Sequence, residues 1–327
     1  MSFAMPRFCG YHPNPDFQDC LDGVRMYREH HCDGIIALGG GSCMDTAKGI
    51  LACLAAPSPE EALQARLSAS VPPLLAVPST AGSGSEATDA AVLYVQGRKI
   101  SLAHPRLLPT AVLLDPELLR SLPDRQRISC AMDALCQALE SLWSRKASAE
   151  SRAAALEALA LFRTAFPACL EGRELRNMLL CSYRSGQAIC MTRTTAAHAL
   201  SYRISQTLSL PHGHACALTL PWLWMRLQGK KEAVPALEKI ESALCLEAGS
   251  GPYWFLGMLE ALHLPVTPPD LPSLAPDLAR SVNQERLSNH PEVLTTEDLE
   301  RICTLALSPL PGRIREKALK AWEAWHD

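Results

Sequence analysis

Three short apolar runs recur in the first part of the chain, each followed by a glycine, a proline or an aspartate. They cover residues 34–38, 73–77 and 111–114. Apolar residues without polar alternation are typical of parallel strands whose two faces are both covered. Because helix-like segments separate the runs, this part of the chain is predicted to be an α/β domain with a largely parallel sheet.

The pattern then changes, and almost every later segment is rich in alanine, leucine and glutamate, as helices are. Pro123 suits the first turn of a helix, and the negative charge of Asp124 is favourable near the positive, N-terminal end of the helix dipole. The chain is therefore predicted to have two domains, an α/β domain over residues 1–122 and an all-helical domain over residues 123–327. The proline-rich residues 265–276 are predicted to form a loop.

The composition is that of a globular protein and argues against nucleic-acid-binding, secreted and membrane proteins. The chain has 327 residues, of which 48% are apolar and 20% charged, the balance of a globular protein. Its net charge of −3 argues against nucleic-acid binding. Neither a signal-peptide pattern nor the apolar run of about 20 residues that a membrane helix needs is visible. The 13 cysteines include no Cys-x-x-Cys pair, so they are expected to be free thiols of a cytoplasmic protein.

A glycine-rich loop, residues 39–42, follows the first apolar run and precedes a helical segment. Glycines let a ligand approach the backbone, and the N-terminus of the next helix offers free N–H groups to a pyrophosphate. The alternative is a tight turn that needs glycine for its positive φ. Asp45 and Lys48 are three residues apart, so they can simply pair on a solvated helix face.

A second loop, rich in glycine and hydroxyl groups, follows the second apolar run. Its hydroxyls come from Ser79, Thr80, Ser83, Ser85 and Thr88. Ligands of open α/β sheets bind beyond the carboxyl ends of the strands, so two such loops favour a dinucleotide over a single phosphate. A flexible Ser/Gly turn is the alternative.

Four residues of the helical half have side chains suited to a divalent transition metal. Asp133 and Gln137 are one turn apart on a predicted helix, so both point to the same side. His198 and His212 follow, and imidazole suits iron or zinc, whereas the oxygens of the first two residues are harder ligands. The spacing leaves open the alternative that these histidines are ordinary core residues.

Taken in order, these motifs resemble those of the iron-containing (group III) alcohol dehydrogenases. The resemblance rests on residues 33–48, 78–86, 114–123, 133–140 and 211–221. It implies a parallel-sheet dinucleotide-binding domain followed by an all-helical metal domain, an architecture similar to that of dehydroquinate synthase. It also implies NAD(P)H and a divalent metal, Fe²⁺ or Zn²⁺, as cofactors, a homodimer, and the reduction of a small aldehyde to a primary alcohol.

The resemblance also implies roles for individual residues. The implied metal ligands are Asp133, Gln137, His198 and His212. Gln137 stands where the family has a histidine, and Tyr202 stands where many members have another. Tyr202 and His214 are the implied proton donors. The implied cofactor contacts are Asn14, Gly39, Gly40, Gly41, Ser42, Asp45, Ser79, Thr80, Ser83, Ser85 and Lys99.

Within the family, residues 133–141, 198–202 and 211–218 resemble the phosphonoacetaldehyde reductases of phosphonate metabolism. This implies phosphonoacetaldehyde as the substrate and 2-hydroxyethylphosphonate as the product. Arg193 and Arg203 are the expected partners of the phosphonate, because guanidinium groups bind such anions through paired donors. Two solvated arginines on a helix are the alternative.

Members of the family usually carry a further segment before Asn14, with the first strand of the cofactor sheet and an acidic residue that meets the ribose. Either this segment is truncated here or another element replaces that strand. An exposed sheet edge and weaker cofactor binding are therefore expected here. Three other functions stay open. They are a general short-chain alcohol dehydrogenase or lactaldehyde-type reductase, a truncated non-catalytic remnant, and a sugar-phosphate lyase similar to dehydroquinate synthase.

Overall fold

The first two apolar runs form neighbouring strands of a parallel sheet, as predicted. The computed structural model describes residues 5–326 and forms two units, Met1–Leu122 and Pro123–Asp327. The strands are β1 (Ile35–Gly39), β2 (Leu74–Pro78), β3 (Ala90–Val95), β4 (Arg98–Ala103) and β5 (Ala111–Val112). The parallel sheet has the order β1-β2-β5, with Leu75 of β2 opposite Ala111 of β5.

β3 and β4 form an antiparallel hairpin that the apolar pattern does not predict. Its two-residue turn consists of Gln96 and Gly97, whose φ angles are +50° and +74°. Two positive φ angles match the twist of the strands that such a turn joins. The helices of this unit are α1 (Phe17–Glu29), α2 (Gly41–Ala55) and α3 (Pro59–Leu63).

α2 packs against β1, so one face of that strand is buried and the other is not. Ala37, Met44 and Leu74 belong to one buried cluster. Ile36 and Leu38 point the other way and are 52% and 59% exposed, because successive residues of a strand face opposite sides. The prediction that both faces of this strand are covered is therefore wrong for the described residues.

α4 lies at the centre of the helical unit, packed against α5, α6 and α8. The helices are α4 (Asp124–Trp143), α5 (Ala149–Leu170), α6 (Leu175–Thr192), α7 (Ala196–Leu208), α8 (His212–Leu227), α9 (Val234–Ala243), α10 (Gly251–Ala261), α11 (Leu271–Arg280), α12 (Gln284–Leu287), α13 (Thr296–Ala306) and α14 (Gly312–His326). Every residue of α4 from Ser129 to Trp143 is buried. Polar side chains on this stretch must therefore find partners inside the protein.

α5 is long and apolar enough to cross a membrane when judged by length and composition alone. In the structure, Ala155, Ala158, Leu159 and Phe162 are completely buried. They recur at helical intervals on one face, and α5 packs against α4 and α6. This apolar face therefore belongs to the core of the helical unit.

The proline-rich residues 265–276 are only partly a loop, because α11 begins at Leu271. Pro272 lies in the first turn of α11. Backbone N–H groups of a first turn have no hydrogen-bond partner within the helix, so a proline, which lacks the N–H, is tolerated there. Burial of Ala275 and Leu278 stabilises the helix around Pro276. The prediction of a loop is thus wrong for the second half of this segment.

Candidate functional site

Four potential metal ligands from three helices meet in the helical unit. Asp133 lies on α4, His198 on α7, and both His212 and Cys216 on α8. One donor atom of each lies within 4.8 Å of the other three. Nε2 of His198 is 3.2 Å from Oδ1 of Asp133, and Sγ of Cys216 is 3.8 Å from Nε2 of His212. We call these four residues the ligand cluster. His212 is its partly exposed member.

Gly213 allows α4 and α8 to approach closely enough to form the ligand cluster. A Cβ atom at Gly213 would lie 1.9 Å from the carbonyl oxygen of Ser129 and 2.7 Å from the amide nitrogen of Asp133. No side chain fits such a distance to a helix backbone, so this position requires glycine. The close contact places His212, the preceding residue, beside the turn of α4 that carries Asp133.

Glu140 fixes the orientation of the His198 ring. Its carboxylate is completely buried and accepts hydrogen bonds from Nδ1 of His198, from Oγ1 of Thr195 (2.6 Å) and from the backbone N–H of Ala197 (2.8 Å). A carboxylate on one ring nitrogen leaves the other for a metal, and such pairs orient histidine ligands in metal sites. The sequence motifs imply no separate role for Glu140.

The charges around the ligand cluster favour a cation. Burial lowers the pKa of His198, but Cys216, Glu140 and Asp133 outweigh burial and hold that pKa well above its ordinary value. Burial raises the pKa of Glu140, and His198 more than reverses this shift. Burial also raises the pKa of Cys216, yet His198 and His212 lower it to about 7. Carboxylate, imidazole and thiol donors in this arrangement fit a divalent transition metal, which displaces their protons when it binds.

Gln137 lies one turn after Asp133 on α4 and is held by its neighbours. Its side-chain N–H donates to Oδ1 of Asp133 (3.2 Å), and its carbonyl oxygen accepts a hydrogen bond from Oγ of Ser185 (3.1 Å). In this arrangement Gln137 orients Asp133, and its role as a ligand stays a prediction. The sequence motifs do not identify Cys216 as a potential ligand, although its position one helical turn after His212 places both side chains on the same side of α8.

The two predicted proton donors lie in different surroundings. The ring of Tyr202 stacks on that of His212, with centroids 5.8 Å apart and planes at 7°, and burial raises the pKa of Tyr202. Nε2 of His214 hydrogen-bonds to the carbonyl oxygen of Leu264 (2.6 Å), and burial lowers the pKa of His214. Tyr202 thus contacts a predicted metal ligand, whereas His214 is bound to another part of the fold. Both catalytic roles stay predictions.

Of the two arginines predicted to bind a phosphonate, Arg203 forms a surface ion pair. Its Nε and Nη2 atoms lie 3.0 and 2.8 Å from Oδ2 of Asp277, and its side chain is 40% exposed. Arg193 directly follows the end of α6 and has a φ of +60°. The pairing of Arg203 favours the alternative of a solvated arginine over a substrate contact.

The two glycine-rich loops of the first unit pack against each other. A Cβ atom at Gly40 would lie 3.1 Å from Cγ2 of Thr80, and one at Gly41 would lie 3.2 Å from Oγ of Ser83. The φ angle of Gly40 is −87°, so the alternative of a turn that needs positive φ is wrong for this residue. Glycine leaves room for the second loop, whose side chains would have to shift by a few tenths of an ångström to admit a Cβ atom at either position. Within the described residues, no side chain caps the N-terminus of α2 that follows.

Further contacts join these loops to the rest of the unit. The N–H of Ser79 donates to the carbonyl oxygen of Gly39 (2.9 Å). The hydroxyl of Ser42 donates to the carbonyl oxygen of Pro13, the residue before Asn14. The structure therefore brings the first loop, the second loop and the Asn14 segment to the N-terminal end of α2, where the sequence predicted cofactor contacts.

Lys48 is completely buried, so the alternative of a solvated pair with Asp45 is wrong. Its ammonium group donates to the carbonyl oxygens of Ser85 and Ala90 and to the hydroxyls of Ser85 and Thr88. Oδ1 of Asp45 accepts a hydrogen bond from Oγ of Ser85 (3.1 Å). Lys99 lies on β4, and its charge acts on Asp45. Lys48 thus anchors the second loop to α2, which a sequence pattern cannot reveal.

Two known family descriptions match the sequence. Residues 2–116 match the description "iron-containing alcohol dehydrogenase", and residues 127–252 match the C-terminal part of the same family. The first match contains both glycine-rich loops. The second contains the ligand cluster, Glu140 and Tyr202.

Individual proteins show the same similarity. The chain is 37% identical to a phosphonoacetaldehyde reductase of Streptomyces viridochromogenes over 243 residues, which are 69% of the chain and 60% of that relative. An iron-containing alcohol dehydrogenase of Thermotoga maritima superimposes with a TM-score of 0.79 at 29% identity, covering 91% of the chain and 81% of that structure. A sulfoacetaldehyde reductase of Bifidobacterium kashiwanohense, solved with NAD⁺, superimposes with a TM-score of 0.72 at 27% identity, covering 92% and 83%.

Proposed function

We propose that this chain, which belongs to the iron-containing alcohol dehydrogenase family, catalyses the NAD(H)-dependent, metal-assisted reduction of a small aldehyde to a primary alcohol. The observation that carries the proposal is the convergence of Asp133, His198 and His212 from three helices within 4.8 Å. These side chains would hold the divalent metal, and the two glycine-rich loops of the first unit would hold the dinucleotide.

When bound, the metal supplies Lewis acidity towards the aldehyde oxygen and the nicotinamide supplies hydride. The protein orients and tunes these groups. Glu140 holds Nδ1 of His198, so that its Nε2 is directed at the metal position, and Gln137 holds Oδ1 of Asp133 (3.2 Å). Tyr202 stacks on His212, and burial raises the pKa of its hydroxyl. We assign to this hydroxyl the proton that the product alcohol requires.

We propose phosphonoacetaldehyde as the substrate and 2-hydroxyethylphosphonate as the product. Support comes from the similarity to a phosphonoacetaldehyde reductase and from the structural similarity to a sulfoacetaldehyde reductase. Both names describe an acetaldehyde that carries an anionic group. A general short-chain alcohol dehydrogenase is the second candidate, since 1,3-propanediol dehydrogenases are also similar to the chain, at 33% identity.

Steady-state assays with two aldehydes test the proposal. The full chain, loaded anaerobically with Fe²⁺ or Zn²⁺, is given NADH and either phosphonoacetaldehyde or propanal. We expect a higher kcat/KM for phosphonoacetaldehyde, whereas equal values would identify a general alcohol dehydrogenase. A folded, metal-loaded protein that binds NADH and reduces neither aldehyde would be a non-catalytic remnant.

The cellular setting is a proposal as well. We propose a cytoplasmic homodimer that acts on a small molecule rather than on nucleic acid or membrane, as the resemblance of the sequence implies. Sedimentation equilibrium of the full chain and fractionation of expressing cells check the two parts separately. A monomer, or recovery in the membrane fraction, would contradict the corresponding part.

A further inference from the structure

Cys216 occupies a position in the ligand cluster that the proposed function does not use. It follows His212 by four residues on α8, so both side chains project from the same side of the helix. Its Sγ lies 3.8 Å from Nε2 of His212 and within 4.8 Å of the donor atoms of Asp133 and His198. The thiol is completely buried.

The four donor atoms lie within 4.8 Å of one another, and two of their separations can be compared with those of a coordination sphere. A tetrahedral ion with ligands at about 2.0–2.3 Å separates neighbouring donors by about 3.3–3.7 Å. The measured separations are 3.2 Å between Nε2 of His198 and Oδ1 of Asp133, and 3.8 Å between Sγ of Cys216 and Nε2 of His212. Both separations lie close to that range, so neither pair of donors has to move far to share one ion.

Gln137 is the alternative fourth metal ligand, but both ends of its amide group already form hydrogen bonds with other side chains. Its carbonyl oxygen, the atom that would bind a metal, accepts the hydrogen bond from Ser185 (3.1 Å). Its N–H₂ group faces Asp133 (3.2 Å). Cys216 therefore has the better-placed donor atom.

We propose that the thiolate of Cys216 is the fourth protein ligand of the metal centre, alongside Asp133, His198 and His212. This inference rests on the proposed function for the existence of that centre. A thiolate selects softer ions such as Zn²⁺, Co²⁺ and Fe²⁺ over Mg²⁺, Ca²⁺ and Mn²⁺. Because His212 is the partly exposed member of the cluster, a substrate could reach a metal held there from that side.

Cobalt spectroscopy of the full chain tests the proposal. The purified apoprotein is titrated anaerobically with Co²⁺ alone, since a thiolate bound to Co²⁺ gives a near-ultraviolet charge-transfer band that nitrogen and oxygen ligands do not give. We expect this band in the wild type and its loss in Cys216→Ser. Cys136→Ser is the matched control, because Cys136 is a completely buried thiol on α4 whose pKa is raised first by burial and then by the charge of Cys216, and this variant should keep the band. The Zn²⁺ affinity of Cys216→Ser should fall at least about tenfold, as it does when groups supporting a metal site are lost.

The outcomes separate this inference from the proposed function. Binding of Co²⁺ without the band, or a band lost in Cys136→Ser and kept in Cys216→Ser, would overturn ligation by Cys216 and leave the other three ligands in place. A folded wild type that binds no Co²⁺ would overturn the metal centre and the proposed function with it. If Cys216→Ser does not fold, X-ray absorption of the Zn²⁺-loaded wild type decides, through the presence or absence of a zinc–sulfur distance of about 2.3 Å.

Discussion

Glu140 and His198 are 58 residues apart in the chain and form a completely buried carboxylate–imidazole hydrogen bond. Glu140 also binds the backbone N–H of Ala197, so it fixes both the start of α7 and the ring that α7 carries. Glu140 lies on α4 two turns after Asp133. Its hydrogen bond to His198 therefore connects the helix that carries Asp133 with the helix that carries His198. The pair thus links the packing of α4 and α7 to the geometry of the ligand cluster.

Replacing Glu140 should weaken metal binding. In Glu140→Gln an N–H₂ group would replace one carboxylate oxygen. It would face either Ala197 and Thr195, which both donate to Oε1, or Nδ1 of His198, which binds Oε2. In both orientations His198 would lose its charged partner. We expect the Zn²⁺ affinity to fall about 10- to 100-fold, the usual cost of losing a partner that orients a histidine ligand. Competition with a chromophoric chelator measures this, using Glu157→Gln, an exposed carboxylate that pairs with Arg184, as the control. Equal affinities in the two variants would show that Glu140 does not orient His198.

Glu86 should make stability depend on pH. Burial raises the pKa of Glu86 to about 7, and its Oε1 has no hydrogen-bond partner within the described residues. A carboxyl group whose pKa is raised in the folded state stabilises it fully below pH 4.5 and loses that contribution as the pH rises through 7. In Glu86→Gln this loss, at most about 3 kcal/mol of unfolding free energy, should disappear.

Urea unfolding at pH 5 and pH 8 checks this prediction. The wild type should lose more unfolding free energy than Glu86→Gln on going from pH 5 to pH 8. The same pH dependence in both proteins would mean that Glu86 does not hold its proton in the folded state.

Gly40→Val should impair dinucleotide binding while leaving the helical unit folded. The added side chain begins 3.1 Å from Cγ2 of Thr80, so the second loop must move away from the N-terminus of α2. Overpacking of this kind costs about 1–3 kcal/mol, and a loss of about tenfold or more in NADH affinity corresponds to about 1.4 kcal/mol. Fluorescence titration of NADH measures the change.

The control for this variant is Gly312→Ala, where an added Cβ atom meets nothing within 4 Å. Its NADH affinity should equal that of the wild type. Unchanged NADH binding by a folded Gly40→Val protein would remove the first loop from the cofactor site.

Local sequence patterns predicted the elements whose structure is decided by nearby residues. The first two apolar runs became β1 and β2, and Asp124 begins α4 directly after Pro123. The β3–β4 hairpin was not predicted, although Gln96 and Gly97 are residues typical of a two-residue turn. α11 was not predicted because prolines in the first turn of a helix resemble those of a loop.

Contacts between distant residues explain what the sequence could not predict about the site. The burial of Lys48 depends on acceptors about 40 residues away, and the role of Glu140 depends on its meeting α7. The resemblance implied roles for Asp133, His198 and His212 but none for Cys216. Only the packing of α4 on α8 at Gly213 shows that this thiol lies beside them.

The metal content of the wild type and of His212→Ala tests the central claim most directly. Both are reconstituted with Fe²⁺ or Zn²⁺, desalted and analysed for metal and turnover, with His30→Ala, an exposed histidine of the first unit, as the control. We predict stoichiometric metal in the wild type and control, loss of metal in His212→Ala, and a fall in kcat of at least about 100-fold, as when a charge-stabilising group is removed. Stoichiometric metal and wild-type turnover in His212→Ala would contradict a metal centre built on Asp133, His198 and His212.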